Sequence, residues 1–188
     1  MLTLTIATFP RSGQHFLKEH LKRRMPVQLD FTHEINLNNN HTLTIVRNPI
    51  NCISSWAAMV QHFYENDSDD ESVFIYNIER AKLKYKNFYE YIIKDVEIVI
   101  DYNFLNTHID DIINYIGKKI NVVPVLYDPN TSFIVRDEVE NQHVASSKKL
   151  KAYEISSKII NKMDMSEEFE LYNQSLKKSY PTFISNNF

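Results

Sequence analysis

Pro10-Arg11-Ser12-Gly13 sets a guanidinium and a hydroxyl beside one of the chain's two glycines. An apolar run, Leu2 to Phe9, precedes it, and a helical pattern starts near Gln14. Glycine allows backbone conformations closed to other residues, so a chain this sparing of glycine places one here for a backbone reason. Such a strand-to-helix turn aims several N–H groups and the positive end of a helix dipole at one point, which suits a phosphate or sulfate. Arg11 contributes charge and a planar donor fork. The N–H groups of Ser12, Gly13, Gln14, His15 and Phe16 complete the candidate cradle.

A second apolar strand, Leu43 to Val46, runs into Arg47-Asn48-Pro49, and Ser55 follows eight residues after Arg47. Proline suits the first position of a helix, where its missing N–H has no partner to lose, and Asn48 can cap that helix. Arg47 at the strand end and Ser55 about two turns into the helix supply a charge and a hydroxyl for a second phosphate. Two anion sites on two neighbouring strand–helix units suit one ligand with two separated anionic groups.

The pair of motifs resembles the sulfotransferases that use 3′-phosphoadenosine 5′-phosphosulfate (PAPS). Phe9-Pro10-Arg11-Ser12-Gly13-Gln14-His15-Phe16-Leu17 is similar to their 5′-phosphosulfate motif, with Gln14-His15 in place of two threonines. Arg47-Asn48-Pro49-Ile50-Asn51-Cys52-Ile53-Ser54-Ser55 is similar to their 3′-phosphate motif, with Asn51 in place of an acidic residue. Thr32-His33 matches the family's Thr-His, and Asp101-Tyr102-Asn103-Phe104-Leu105 weakly matches a strand ending in Tyr-Glu-x-Leu. The resemblance covers about residues 2–60.

The resemblance implies PAPS as sulfuryl donor, no metal, and an acceptor hydroxyl or amine. Arg11 would steady the charge on the leaving 5′-phosphate, and Arg47 with Ser55 would hold the 3′-phosphate. His33 would be the general base, since histidine takes up and releases protons near neutrality, with Glu34 and His15 as the next candidates. Phe16 would stack on adenine, or else begin the core of the first helix. Lys148, in Ser146-Ser147-Lys148-Lys149, would close over the 3′-phosphate, or else belong to a solvated lysine pair. A solvated loop histidine and a surface arginine capping a turn are the plainer readings of His33 and Arg11. A small molecule, a carbohydrate or a peptide tyrosine all fit as acceptor.

Composition sets the bounds. The chain has 188 residues, 43% of them apolar and 24% charged, with a net charge of −3. That length suits one domain, residues 1–188, with a sizeable core. The charge provides no global field for nucleic acid, so an anionic cofactor must be held by local cations. The single cysteine, Cys52, excludes an intrachain disulfide and a zinc-type ligand pair. No run approaches the ~20 apolar residues of a membrane helix, and the N-terminus enters a strand at once, so no signal peptide is expected. The expected location is cytoplasmic.

Periodicity predicts strands over 2–9, 27–31, 41–47, 96–100 and 120–126, and helices over 14–24, 49–64, 72–94, 106–117, 148–162 and 166–178. Within 72–94, Phe74, Ile78, Ala81, Tyr85, Phe88 and Ile92 recur at helical spacing as a core stripe; Tyr89 and Tyr91 either edge that core or line an acceptor pocket. Asn66 to Glu71 is an acidic turn in which Ser68 and Glu71 are spaced as a capping box. It lacks the glycine of a calcium loop. Gly117 falls near a helix end. The alternation predicts a three-layer α/β fold with a mostly parallel sheet flanked by helices, P-loop nucleotide-hydrolase-like, with the ligand at the carboxyl ends of the strands. A P-loop kinase or NTPase is a competing reading, but no lysine follows Gly13 and no hydroxyl is placed for Mg²⁺. A non-catalytic nucleotide-binding protein is the other.

Overall fold

Strand and helix alternate through most of the computed structural model, which describes residues 2–33, 41–64, 70–125 and 147–181. β1 (Thr3–Ala7) leads to α1 (Gln14–Arg24), then β2 (Gln28–Thr32), β3 (Thr42–Val46), α2 (Pro49–Tyr64) and α3 (Glu71–Asp95). β4 (Ile98–Asp101), a single 3-10 turn (Tyr102–Phe104) and α4 (Ile109–Ile120) follow. α5 (Ser147–Ile160), α6 (Ser166–Lys178) and β5 (Ser179–Tyr180) complete the described elements. The five strands form one sheet in the order β2-β1-β3-β4-β5, and every pairing is parallel.

Side chains alternate across a strand, and here each face has its own core. Leu4, Ile6, Leu43, Ile45, Ile98 and Ile100 pack with Leu17 and Leu21 of α1 and Ile112, Ile113 and Ile116 of α4. Ala7, Val46 and Val99 point the other way, into a core with Ile53 and Ala57 of α2, Ile78, Tyr85 and Tyr89 of α3 and Tyr172 of α6. The result is the expected three-layer α/β architecture. Burial on both faces explains why β4 is an almost continuous apolar run, whereas β2, at the edge, alternates and exposes Gln28 and Asp30. The whole predicted stripe of α3, Phe74 through Ile92, is buried.

Asn48 caps α2 as its sequence suggests, its side-chain oxygen accepting from the Ile50 N–H at 3.0 Å. The cap of α3 differs from the predicted capping box. Asp70 accepts from the Ser72 N–H at 2.9 Å, while Ser68 lies outside the described residues.

Two further expectations are corrected. Residues 120–125 do not form a strand: Ile120 ends α4, Asn121 turns the chain at φ 56°, and Val123 is 86% exposed. Pro124 cannot donate to a ladder, and the Val125 N–H bonds instead to the Arg24 carbonyl at 2.8 Å. The fifth strand is Ser179–Tyr180, paired with β4; Leu126 lies outside the described residues. Gly117, in turn, is inside α4 and does not cap it. A Cβ there would stand 2.5 Å from the Val122 carbonyl oxygen, so the glycine lets the returning chain pack on the helix. No helix among the described residues is long and apolar enough to cross a membrane.

Candidate functional site

β1 connects to β2 on one side of it and lies beside β3 on the other, so the sheet changes direction between β1 and β3. Ligands of open parallel sheets bind outside the carboxyl ends of the strands at such a point. The turns carrying Arg11 and Arg47 leave those two neighbouring strands. The turn after β1 is tight and left-handed twice, at Arg11 (φ 72°) and Gly13 (φ 82°). At Gly13 the space is closed as well, since a Cβ would lie 2.7 Å from Tyr102 Cε2. A non-glycine residue held left-handed costs about 1–2 kcal/mol, and such strain collects at functional sites. Gly13 brings no side chain to cap α1, and the first turn of α1 holds no acidic residue. The positive end of the helix therefore faces the turn without a built-in counter-charge.

The two arginines meet. Arg47 Nη1 donates to the Arg11 carbonyl oxygen at 2.6 Å, and Arg11 Nε donates to Ser55 Oγ at 3.2 Å. Burial first, and the Arg47 charge second, push the Arg11 pKa below its ordinary value. Tyr102 lies flat to Arg47, its ring centre 4.2 Å from the guanidinium carbon, a cation–π contact. Below this, the Arg47 peptide is clamped by buried phenols. Its N–H donates to Tyr89 Oη at 2.8 Å, and its carbonyl accepts from Tyr85 and Tyr89, each at 3.0 Å. Burial raises both phenol pKa values well above the ordinary range, so both remain proton donors. Cys52 Sγ lies 3.5 Å from Ser12 Oγ, and burial pushes its thiol up to about 11. Ser12 is fully buried and turns its hydroxyl toward Cys52, so only its backbone can serve a ligand.

His33 ends a closed circuit. Its Nδ1 lies 2.8 Å from the Thr8 carbonyl oxygen, which can only accept, so Nδ1 carries the hydrogen. Nε2 is then the acceptor in the neutral ring, and Gln14 Nε2 donates to it at 3.3 Å. Gln14 Oε1 in turn accepts from the Thr8 hydroxyl. Gln14 thus orients the His33 ring. His15 also faces the site, and burial, then Lys18, Arg11 and His33, lower its pKa. Its ring is thereby biased towards the uncharged form.

These groups line one cavity of about 870 Å³. Arg11, Gly13, Gln14, His15, His33 and Arg47 form one part of its wall, with Tyr102 and Pro10. Trp56, Met59 and Val60 of α2 and Arg80 and Lys84 of α3 form the rest. Four permanent cations line it, and no carboxylate does among the described residues. Phe16 is 38% exposed, packs on the His20 ring at 4.6 Å between centres, and is not part of this lining. The aromatic surface in the cavity comes from Trp56 and Tyr102. Lys148 is exposed, whereas Lys149 is 8% exposed and its pKa is lowered by burial and then by Arg11. Neither lysine is part of the cavity lining. Glu34 lies outside the described residues.

Sequence reasoning missed Arg80, Lys84, Trp56 and the tyrosine clamp. Trp56 adjoins Ser55, and Arg80 and Lys84 sit four apart, but nothing local tells a cavity-lining helix face from a solvated one. Fold and site together define an α/β protein with a cationic cavity at the switch point of its parallel sheet. Comparison with protein families, curated proteins and solved structures yields no match.

Proposed function

We propose that this protein is a cytoplasmic sulfotransferase that moves a sulfuryl group from PAPS to an acceptor hydroxyl or amine. The observation that carries the reading is the convergence of Arg11 and Arg47 on one cavity wall, joined to each other by the 2.6 Å contact and, through Arg11, to Ser55 by the 3.2 Å contact. The residues present suit the donor. Arg11 and the open N-terminus of α1 would receive its 5′-phosphosulfate, and Arg47 with the Ser55 hydroxyl its 3′-phosphate. Ser55 accepts from Arg11, so its own hydrogen can be given to an anion.

The donor supplies a sulfuryl group on a phosphate leaving group: the acceptor oxygen bonds to sulfur as the bridging sulfur–oxygen bond breaks. The protein's work is positioning and charge stabilisation, as in phosphoryl transfer. His33 Nε2 takes the acceptor's proton as the acceptor hydroxyl displaces the 3.3 Å Gln14 contact, with Nδ1–H anchored on Thr8. Arg11 and the N–H groups of the turn offset the charge that gathers on the departing 5′-phosphate.

Calorimetric titration tests the reading. Adenosine 3′,5′-bisphosphate should bind more tightly than ATP, and without Mg²⁺. A preference for ATP with Mg²⁺ would replace the reading with a kinase or NTPase, and bisphosphate binding without transfer to any acceptor would leave a binding protein.

A further inference from the structure

The cavity has a second cationic wall that the nucleotide does not need. Arg80 and Lys84 are four apart on α3, on one helix face, and both are exposed into the cavity. Their partners are aromatic: the Arg80 guanidinium lies 5.5 Å from the Tyr76 ring centre, and Lys84 Nζ lies 5.3 Å from that of Trp56. Other lysines of the same helix are matched with α6 carboxylates, Lys82 with Glu168 at 3.9 Å and Lys86 with Glu167 at 2.6 Å. Among the described residues, neither Arg80 nor Lys84 has a carboxylate within ion-pair distance.

A chain of net charge −3 has carboxylates to spare, yet sets two unmatched cations in the cavity that already holds Arg11 and Arg47. Like charges lining one cavity repel, and an anion offsets that repulsion. The two phosphate-bearing ends of the nucleotide are already served by Arg11 with the α1 N-terminus and by Arg47 with Ser55. Beside Arg80 and Lys84 the wall is apolar, made by Trp56, Met59 and Val60.

We infer that Arg80 and Lys84 anchor the acceptor, and that the acceptor carries an anionic group (carboxylate, sulfate or phosphate) on an apolar body that packs against Trp56. The inference rests on the sulfuryl-transfer reading, which supplies the nucleotide half of the cavity. It makes the pair a specificity device: charge selects the acceptor, and the apolar wall holds its body while the hydroxyl reaches His33.

Trp56 is the chain's one tryptophan, so its fluorescence reports on this wall. The protein, saturated with adenosine 3′,5′-bisphosphate, is titrated with 4-hydroxyphenylacetate and with its neutral amide, exciting the indole selectively. The carboxylate should bind about tenfold or more tightly than the amide, as a charge-assisted contact warrants. Arg80→Gln with Lys84→Gln, both at exposed positions, should abolish that preference and leave bisphosphate affinity unchanged. Equal binding of the two probes with the bisphosphate bound overturns the inference alone. A drop in bisphosphate affinity in the double variant also overturns it, assigning the pair to the nucleotide. Failure of the bisphosphate to bind, with the carboxylate preference intact, removes the sulfuryl-transfer reading and with it the role of acceptor anchor.

Discussion

Tyr89 Oη is bonded to both ends of one peptide residue: it accepts from the Arg47 N–H at 2.8 Å and donates to the Arg47 carbonyl at 3.0 Å. A buried core tyrosine thereby sets the direction in which Arg47 leaves its strand. Tyr85, stacked on Tyr89 at 3.9 Å between ring centres, donates to the same carbonyl. Tyr89→Phe keeps the packing but strands the Arg47 N–H. An unpaired buried donor costs about 1–3 kcal/mol, so chemical denaturation should show a loss of that size. Calorimetry should show weaker bisphosphate binding as Arg47 loses its fixed direction.

Arg47→Ala removes one side of the anion site and the bond to the Arg11 carbonyl. Bisphosphate affinity should fall by more than about tenfold, because a charge-assisted contact is lost. Unchanged affinity in the titration would place the 3′-phosphate elsewhere. Lysine should not restore it, since an ammonium lacks the fork that reaches a carbonyl and a phosphate together.

His33→Ala should leave bisphosphate affinity intact and lower turnover, because the ring joins Thr8 and Gln14 and neither arginine. Nitrogen-15 NMR of the free protein should show the hydrogen on Nδ1 of His33. A neutral ring with the hydrogen on Nε2 would contradict the Thr8 anchor.

Gly13→Ala meets two obstacles, a left-handed φ of 82° and the Tyr102 ring at 2.7 Å. The backbone part alone costs about 1–2 kcal/mol. The melting temperature should drop and bisphosphate binding should weaken. Adding Tyr102→Ala to Gly13→Ala should relieve the closest contact, leaving the Leu105 contact at 3.1 Å, the backbone cost and the loss of the ring over Arg47.

Alkaline stability should reflect Cys52. Its thiol pKa rises from 9.0 to about 11 on folding, through burial. Below pH 9 both states hold the proton and the contribution is whole. As pH climbs from 9 towards 11 the unfolded chain releases its proton first, so stability falls, by up to about 1.4 kcal/mol per pH unit from this group. Denaturant titrations of Cys52→Ser over that window should give a shallower decline. Tyr85 and Tyr89, whose pKa values are also raised, keep some of the decline in the variant.

What the amino-acid order determined by itself is local. The apolar strands, the cap at Asn48, the α3 stripe and the glycine at a left-handed turn all follow from periodicity and from side chains acting on their own backbone. The Arg47-to-Ser55 spacing is of the same kind, because one helix carries it. Where local signals failed, the deciding contact was distant: Ser179 and Tyr180 are a strand only because β4 offers an unpaired edge, and 122–125 is none because Arg24 claims its N–H. The expected neighbourhood of β1 and β3 is present, and what tertiary structure alone decided is that the two anion motifs touch, Arg47 bonding to the Arg11 carbonyl. It also set Gln14 against His33 and turned Arg80 and Lys84 towards the cavity. A helix face has the same composition whether it meets water or a ligand, and only the packing of the helix against its neighbours settles which.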